Sequence, residues 1–169
     1  MRILTAAATL AIVSILGGCD AGPSAPSVST DVKPIGIGQT GKAGGIEVTV
    51  TAAKTTGQIG PAEAGLTAGP EEIYVVVNYT IKNTSTAPLV LFDRPALSLQ
   101  DGNGQTYAPD AIASGVGTMM TDPTGIASDL NPGVSAKTDA VWKIAKSGYD
   151  AKTWKVVVAT DPVLAFALK

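Results

Sequence analysis

Between Ile73 and Lys82 the chain alternates without a break. Ile73, Val75, Val77, Tyr79 and Ile81 share one side, and Tyr74, Val76, Asn78, Thr80 and Lys82 share the other. A period of two places residues on opposite faces only in a β-strand, so this stretch commits the chain to a sheet with a buried face. The same pattern recurs at Ile46, Val48 and Val50, with Glu47, Thr49 and Thr51 opposite. It returns at Thr138, Ala140, Trp142 and Ile144, with Lys137, Asp139, Val141 and Lys143 between them.

Shorter strands are expected at Leu89–Phe92, Leu97–Leu99, Gln105–Tyr107, Trp154–Val158 and Val163–Leu168. Asp101-Gly102-Asn103-Gly104 and Asn131-Pro132-Gly133 are turn signals. No long amphipathic helix and no internal repeat is visible. The chain therefore reads as all-β: an antiparallel two-sheet sandwich of about seven to eight strands. With 19 glycines and 11 prolines among valines, threonines and alanines, the composition agrees with many short strands and turns.

The amino terminus is of a different kind. Arg2 is followed by an apolar run from Ile3 to Ile15, then by Leu16-Gly17-Gly18-Cys19. A short basic start, an apolar core and small residues at the cut have the form of a secretory signal. The run is shorter than the roughly 20 residues a spanning helix needs. Leu16-Gly17-Gly18-Cys19 resembles the lipobox of bacterial lipoproteins. The resemblance implies removal of residues 1–18 and a thioether-linked diacylglycerol on Cys19, the one cysteine of the chain. Two or three acyl chains anchor firmly where one does not. The expected address is the extracytoplasmic face of a bacterial membrane. Residues 19–34 read as a Pro- and Ser-rich linker carrying the lipid, with a mean span of roughly 20 Å. Residues 35–169 are expected to form the folded domain.

Charge and composition exclude several functions. Losing Arg2 from 12 basic residues leaves 11 against 14 acidic ones, a mild net charge of −3. Nothing resembles a basic stripe, so nucleic acid is not an expected partner. The chain contains no histidine. That removes the usual general base and the commonest metal ligand. No cofactor is expected, and no disulfide, since a lipidated Cys19 leaves no thiol.

The order of the pieces resembles a known family. A lipobox and tether precede Gly45–Val50, then Ile73–Thr84, Leu99–Tyr107, Leu130–Gly133 and Val141–Ile144. This succession is similar to the domain of unknown function 4352 family and covers roughly residues 36–158. The resemblance implies a telokin-like, immunoglobulin-like sandwich and no assigned activity. Val163–Leu168 lies beyond it and is expected as an added edge strand.

Four groups of residues invite a chemical reading. Asp101, Asn103 and Gln105 have the first spacing of a calcium loop, but its twelfth position is Ile112 where an acid is required. A hairpin turn accounts for the same residues. Met119 and Met120 lie in a long stretch, residues 108–133, which suits either a soft-metal or small-ligand loop or a crossover with both methionines packed on the core. The latter is preferred. Glu63, Glu71 and Glu72 in the 54–72 loop would serve a carboxylate hydrolase only if paired across a cleft, and solvated loop charge is preferred. Trp142 and Trp154 fit core positions better than a sugar platform. The sequence thus favours a non-enzymatic, membrane-anchored module that binds a protein or an envelope component through loops or a sheet edge. A small-ligand or soft-metal binder and a carboxylate hydrolase stand as alternatives.

Overall fold

The computed structural model describes residues 32–126 and 128–169. Cys19, the apolar leader and most of the linker lie outside the described residues. The alternating segments pair as expected. Strands β1 (Thr40–Ala43), β2 (Ile46–Thr56), β5 (Glu72–Asn83) and β8 (Ser135–Ala145) form one antiparallel sheet in the order β1-β2-β5-β8. Strands β10 (Leu164–Ala167), β9 (Lys155–Val158), β6 (Leu97–Gln100) and β7 (Thr106–Tyr107) form the second, in that order. A two-stranded hairpin, β3 (Gln58–Ile59) and β4 (Leu66–Thr67), stands apart.

The two sheets enclose one core. Val48 and Val50 from β2, Val75, Val77 and Ile81 from β5, and Ala140 and Trp142 from β8 meet Leu99, Val156, Val158 and Phe166 from the opposite sheet. Strict alternation supplies this face, and a sandwich of two such faces is the closed solution. Trp142 is fully buried and donates its indole N–H to the Tyr107 carbonyl at 2.9 Å, tying the sheets together. Trp154 is buried as well, stacked on Tyr107 and edge-on to Tyr149. It precedes β9 rather than belonging to it.

Asn83, at the end of β5, is buried and saturated. Its amide donates to the Ala87 and Leu130 carbonyls, and its oxygen accepts from the Ser85 N–H and hydroxyl. This replaces strand pairing with a fixed loop. The chain enters at Ile35, whose N–H donates to Ala165 and whose carbonyl accepts from Ala167. The Val163–Leu168 segment therefore forms β10, flanked by β9 and by Ile35.

Three expectations are corrected. The 54–72 stretch is not a loop throughout: β2 runs on to Thr56, and Gln58–Ile59 pairs with Leu66–Thr67. Leu89–Phe92 is not a strand: Leu89 makes a single bridge to Leu130, and residues 91–93 form a 3₁₀ turn with Phe92 in solvent. The 108–133 stretch is not a loop throughout. Ala111–Thr121 is an α-helix, α1. Its weak apolar periodicity hid it, because its buried side is made of alanine, glycine and threonine rather than large aliphatics.

Candidate functional site

α1 straddles the edge and outer face of β8. The Asp110 carboxylate caps it by accepting from the Ala113 N–H at 2.9 Å, and Pro123 follows its end at Asp122. β8 pairs with β5 on one side only, so N–H groups along its other side need acceptors. Ser114 Oγ accepts from the Val141 N–H at 2.9 Å, and Thr118 Oγ1 accepts from the Asp139 N–H at 3.0 Å. The match is geometric. Four residues of helix advance about 6 Å, close to the roughly 6.8 Å of two strand residues. The Asp110 N–H donates to the Val141 carbonyl at 2.7 Å. Hydroxyls of one helix thus close a sheet edge.

Beneath α1 lies a second small cluster. Tyr74 and Val76 of β5 and Val141 of β8 pack with Ile59 and Ala113. Beyond it the layer turns polar. Asp139 is only 7% exposed. Its carboxylate accepts from Asn78 Nδ2 at 2.6 Å and from Thr121 Oγ1 at 3.0 Å. Gly117 lies directly over it. A Cβ there would lie 3.0 Å from Asp139 Oδ2, a tight contact that the carboxylate would have to relieve by a few tenths of an ångström.

Two depressions flank the helix. One, of about 410 Å³, opens between α1 and the outer face of the first sheet; Lys54, Gln58, Asn78, Met120, Thr121 and Asp139 are among its walls. The other, of about 240 Å³, lies on the far side between α1 and the 91–94 turn, with Tyr79, Leu91, Arg94 and Gly115 among its walls. Burial pushes the Tyr79 phenol above its ordinary value; hydrogen bonding to Thr138 and the Arg94 charge act the other way.

The outward face of α1 is unusual for a surface helix. The helix carries no charged residue along its length. Ile112 is 72% exposed, Met119 and Met120 are each 63% exposed, and Phe92 on the adjoining turn is 95% exposed. A surface helix ordinarily turns polar groups to water. Asp110 and Asp122 stand at the two ends of α1, Asp93 lies in the 91–94 turn next to Arg94, and the Asp129 carboxylate accepts from the Leu91 N–H.

The sequence candidates are distributed as follows. Asp101 Oδ1 accepts from the Asn103 and Gln105 N–H groups at 2.9 and 2.8 Å, and Gly104 has φ of 86°. The residues form a side-chain-stabilised turn, with Ile112 away on α1. Glu63 and Glu71 are exposed, and Glu72 accepts from the Gly69 N–H. Trp142 and Trp154 are core residues. Met119 and Met120 are not packed on the core. As neighbours on a helix they diverge by about 100°, so they do not converge on one ion. Among the described residues no three acidic, histidine or cysteine side chains gather as a metal cluster, and no helix is long and apolar enough to cross a membrane. Sequence reading missed Asp139, Asn78 and α1. The available signal was Asp110 as a helix cap, eleven residues without a charge or proline, then Asp122-Pro123.

The arrangement of sheets and turns is that of a known group. The profile of the domain of unknown function DUF4352 matches residues 35–162. This chain belongs to the DUF4352 family. The uncharacterized protein YxkC of Bacillus subtilis (strain 168) is 33% identical over 134 residues, which span 78% of this chain and 74% of that protein. A conserved hypothetical protein from Bacillus anthracis, solved at 2.2 Å, superimposes with a TM-score of 0.67 at 22% identity, covering 79% of this chain and 94% of that one. An uncharacterized β-sandwich protein from Clostridium difficile 630 superimposes with a TM-score of 0.56 at 15% identity, covering 81% and 95%. These solved structures share the fold of this DUF4352 chain, an immunoglobulin-like β-sandwich.

Proposed function

We propose that this DUF4352 protein is a lipid-anchored, extracytoplasmic, non-catalytic binding module that recognises a protein partner through α1 and the adjoining 91–94 turn. The observation that carries the reading is Phe92, 95% exposed beside a charge-free helix that also offers Ile112 and Met119. Large exposed apolar side chains grouped on one face are the usual mark of an interface. Aromatic and methionine side chains are the residues interfaces favour. The flanking aspartates suit a partner with apolar anchors and a lysine- or arginine-rich rim. Anchorage rests on the lipobox at Cys19, and the linker leaves the domain room to meet partners near the membrane. A non-catalytic role agrees with a sequence without histidine.

Two measurements test the reading. Cells expressing the wild type and Cys19→Ser are fractionated after labelling with a radioactive fatty acid. The wild type should carry label and sediment with membranes, and the variant should do neither; membrane retention of an unlabelled variant would refute the anchor. Separately, a photo-crosslinking amino acid replaces Phe92 in intact cells. One discrete adduct is expected, and it should vanish when Ile112→Ser and Met119→Ser are added. An adduct that survives them, or none at all, would refute this face as the interface.

A further inference from the structure

We propose that the roughly 410 Å³ cavity between α1 and the outer face of β2, β5 and β8 binds a small zwitterion, its cationic group on Asp139 and its carboxylate toward Lys54. This site adjoins the apolar strip of α1 at Met120, which forms part of its wall, and does not depend on the strip's meeting a partner.

The argument begins with Asp139. A carboxylate that is 7% exposed ordinarily has a cationic partner, because burying an uncompensated charge is costly. Both hydrogen-bond donors to the Asp139 carboxylate, Asn78 and Thr121, are neutral side chains; the cation near it, Arg94, lies in the other depression, where it donates to the Ser128 carbonyl. An ionised carboxylate has about four acceptor positions. Two are used, so each oxygen retains one. The fold makes room for this group at a cost. Gly117 sits inside a helix, where glycine is disfavoured, and any side chain there would press on Asp139 Oδ2. Alanine at 117 with an aliphatic residue at 139 would give a drier and tighter contact.

The rest of the cavity defines the ligand. Its volume falls within the range of small-molecule sites. Val76, Ile59 and Met120 supply apolar wall, while Thr56 and Gln58 add polar groups. Lys54 shares the face with Asp139. Asn78 pairs with Asp139 on one side and Ala52 on the other, and Lys54 lies two residues along β2. Two strand spacings and two residues place the two Cα atoms about 12 Å apart. An acid at one end and an ammonium at the other match a molecule with a guanidinium or ammonium group at one end and a carboxylate at the other. Arginine meets this description, and its guanidinium can engage both Asp139 oxygens.

The test uses the folded protein and two probes. Isothermal titration calorimetry with arginine should show one site. Agmatine, which lacks the carboxylate, should bind at least fivefold more weakly. Asp139→Asn should weaken arginine at least tenfold. Lys54→Glu, on an exposed side chain, should leave the thermal midpoint unchanged and reverse the order, with agmatine now the tighter ligand. No binding of arginine at 10 mM ligand, or agmatine equal to arginine in the wild type, would overturn the proposal. So would undiminished arginine binding by a folded Asp139→Asn protein. Should that variant fail to fold, the Lys54→Glu comparison decides: reversal supports the site, and an unchanged order overturns it.

Discussion

The two faces of β5 pack by different rules. Inward, Val75, Val77 and Ile81 enter a core of large aliphatic and aromatic side chains shared by both sheets. Outward, Tyr74 and Val76 meet Ala113 and Val116 of α1 and Ile59 and Leu66 of the β3–β4 hairpin, and the next outward residue, Asn78, is already polar. The inner face is held by area removed from water, which many residues supply jointly. The outer layer is held by a handful of directed hydrogen bonds from Ser114, Thr118 and Thr121. The first arrangement specifies a fold. The second positions a helix, leaves depressions on both its flanks, and exposes apolar side chains that add nothing to the core.

This contrast makes graded predictions. The largest effect is expected for Trp142→Ala, which empties the middle of the inner layer and removes the bond to Tyr107. A loss of about 3–5 kcal/mol is expected. Chemical denaturation followed by circular dichroism measures it, and a loss near zero would mean the two sheets do not depend on one another. Next comes the double variant Ser114→Ala, Thr118→Val, which strips the edge of β8 of its acceptors. It should cost about 1–3 kcal/mol. More tellingly, hydrogen exchange at the Asp139 and Val141 amides should accelerate while Val75 and Val77 keep their protection. Equal acceleration everywhere would show that the outer layer is part of the core's cooperative unit.

Smaller still is Phe92→Ser. An exposed side chain on a turn contributes little to folding, so stability should move by no more than about 0.5 kcal/mol. Partner capture should nevertheless be lost, and a large drop in melting temperature would instead assign Phe92 a structural role. The finest effect concerns Tyr79. Burial raises its pKa above the ordinary 10.0, so the folded state holds the proton more tightly than the unfolded one. Its contribution to stability is fully present below the unfolded value and is lost as pH rises through the higher folded value. Burial raises Tyr107 and Tyr149 as well, so absorbance of tyrosinate against pH should show a late component of several phenols, and Tyr79→Phe should reduce its amplitude by one phenol.

How much of this was legible follows from the physics of each layer. Three strands of the first sheet, β2, β5 and β8, were readable from alternation, since a buried face against water forces a period of two, whereas β1 and the far half of β2 were not. The Asp101–Gln105 turn was equally plain, because glycine and aspartate chemistry acts within a few positions. Trp154 was correctly placed in the core but assigned to a strand that starts one residue later. Phe92 was misread as strand, since an apolar run of four does not reveal whether water or protein covers it. α1 was missed for a related reason. Its contacts are made by small residues and hydroxyls, which carry no strong hydrophobic period.

By itself, the sequence determined a two-sheet sandwich, its main strands, the family, and an amino-terminal pattern with Cys19 at its end. These are local facts of alternation, turn chemistry and motif. Only the tertiary structure decided that Asp139 is buried, that Asn78 and Thr121 reach it, and that Gly117 packs directly over it. Those residues are 61, 18 and 22 positions from Asp139 in the chain. Their meeting depends on strand register and on where one helix comes to rest, and neither leaves a periodic trace in the residues concerned.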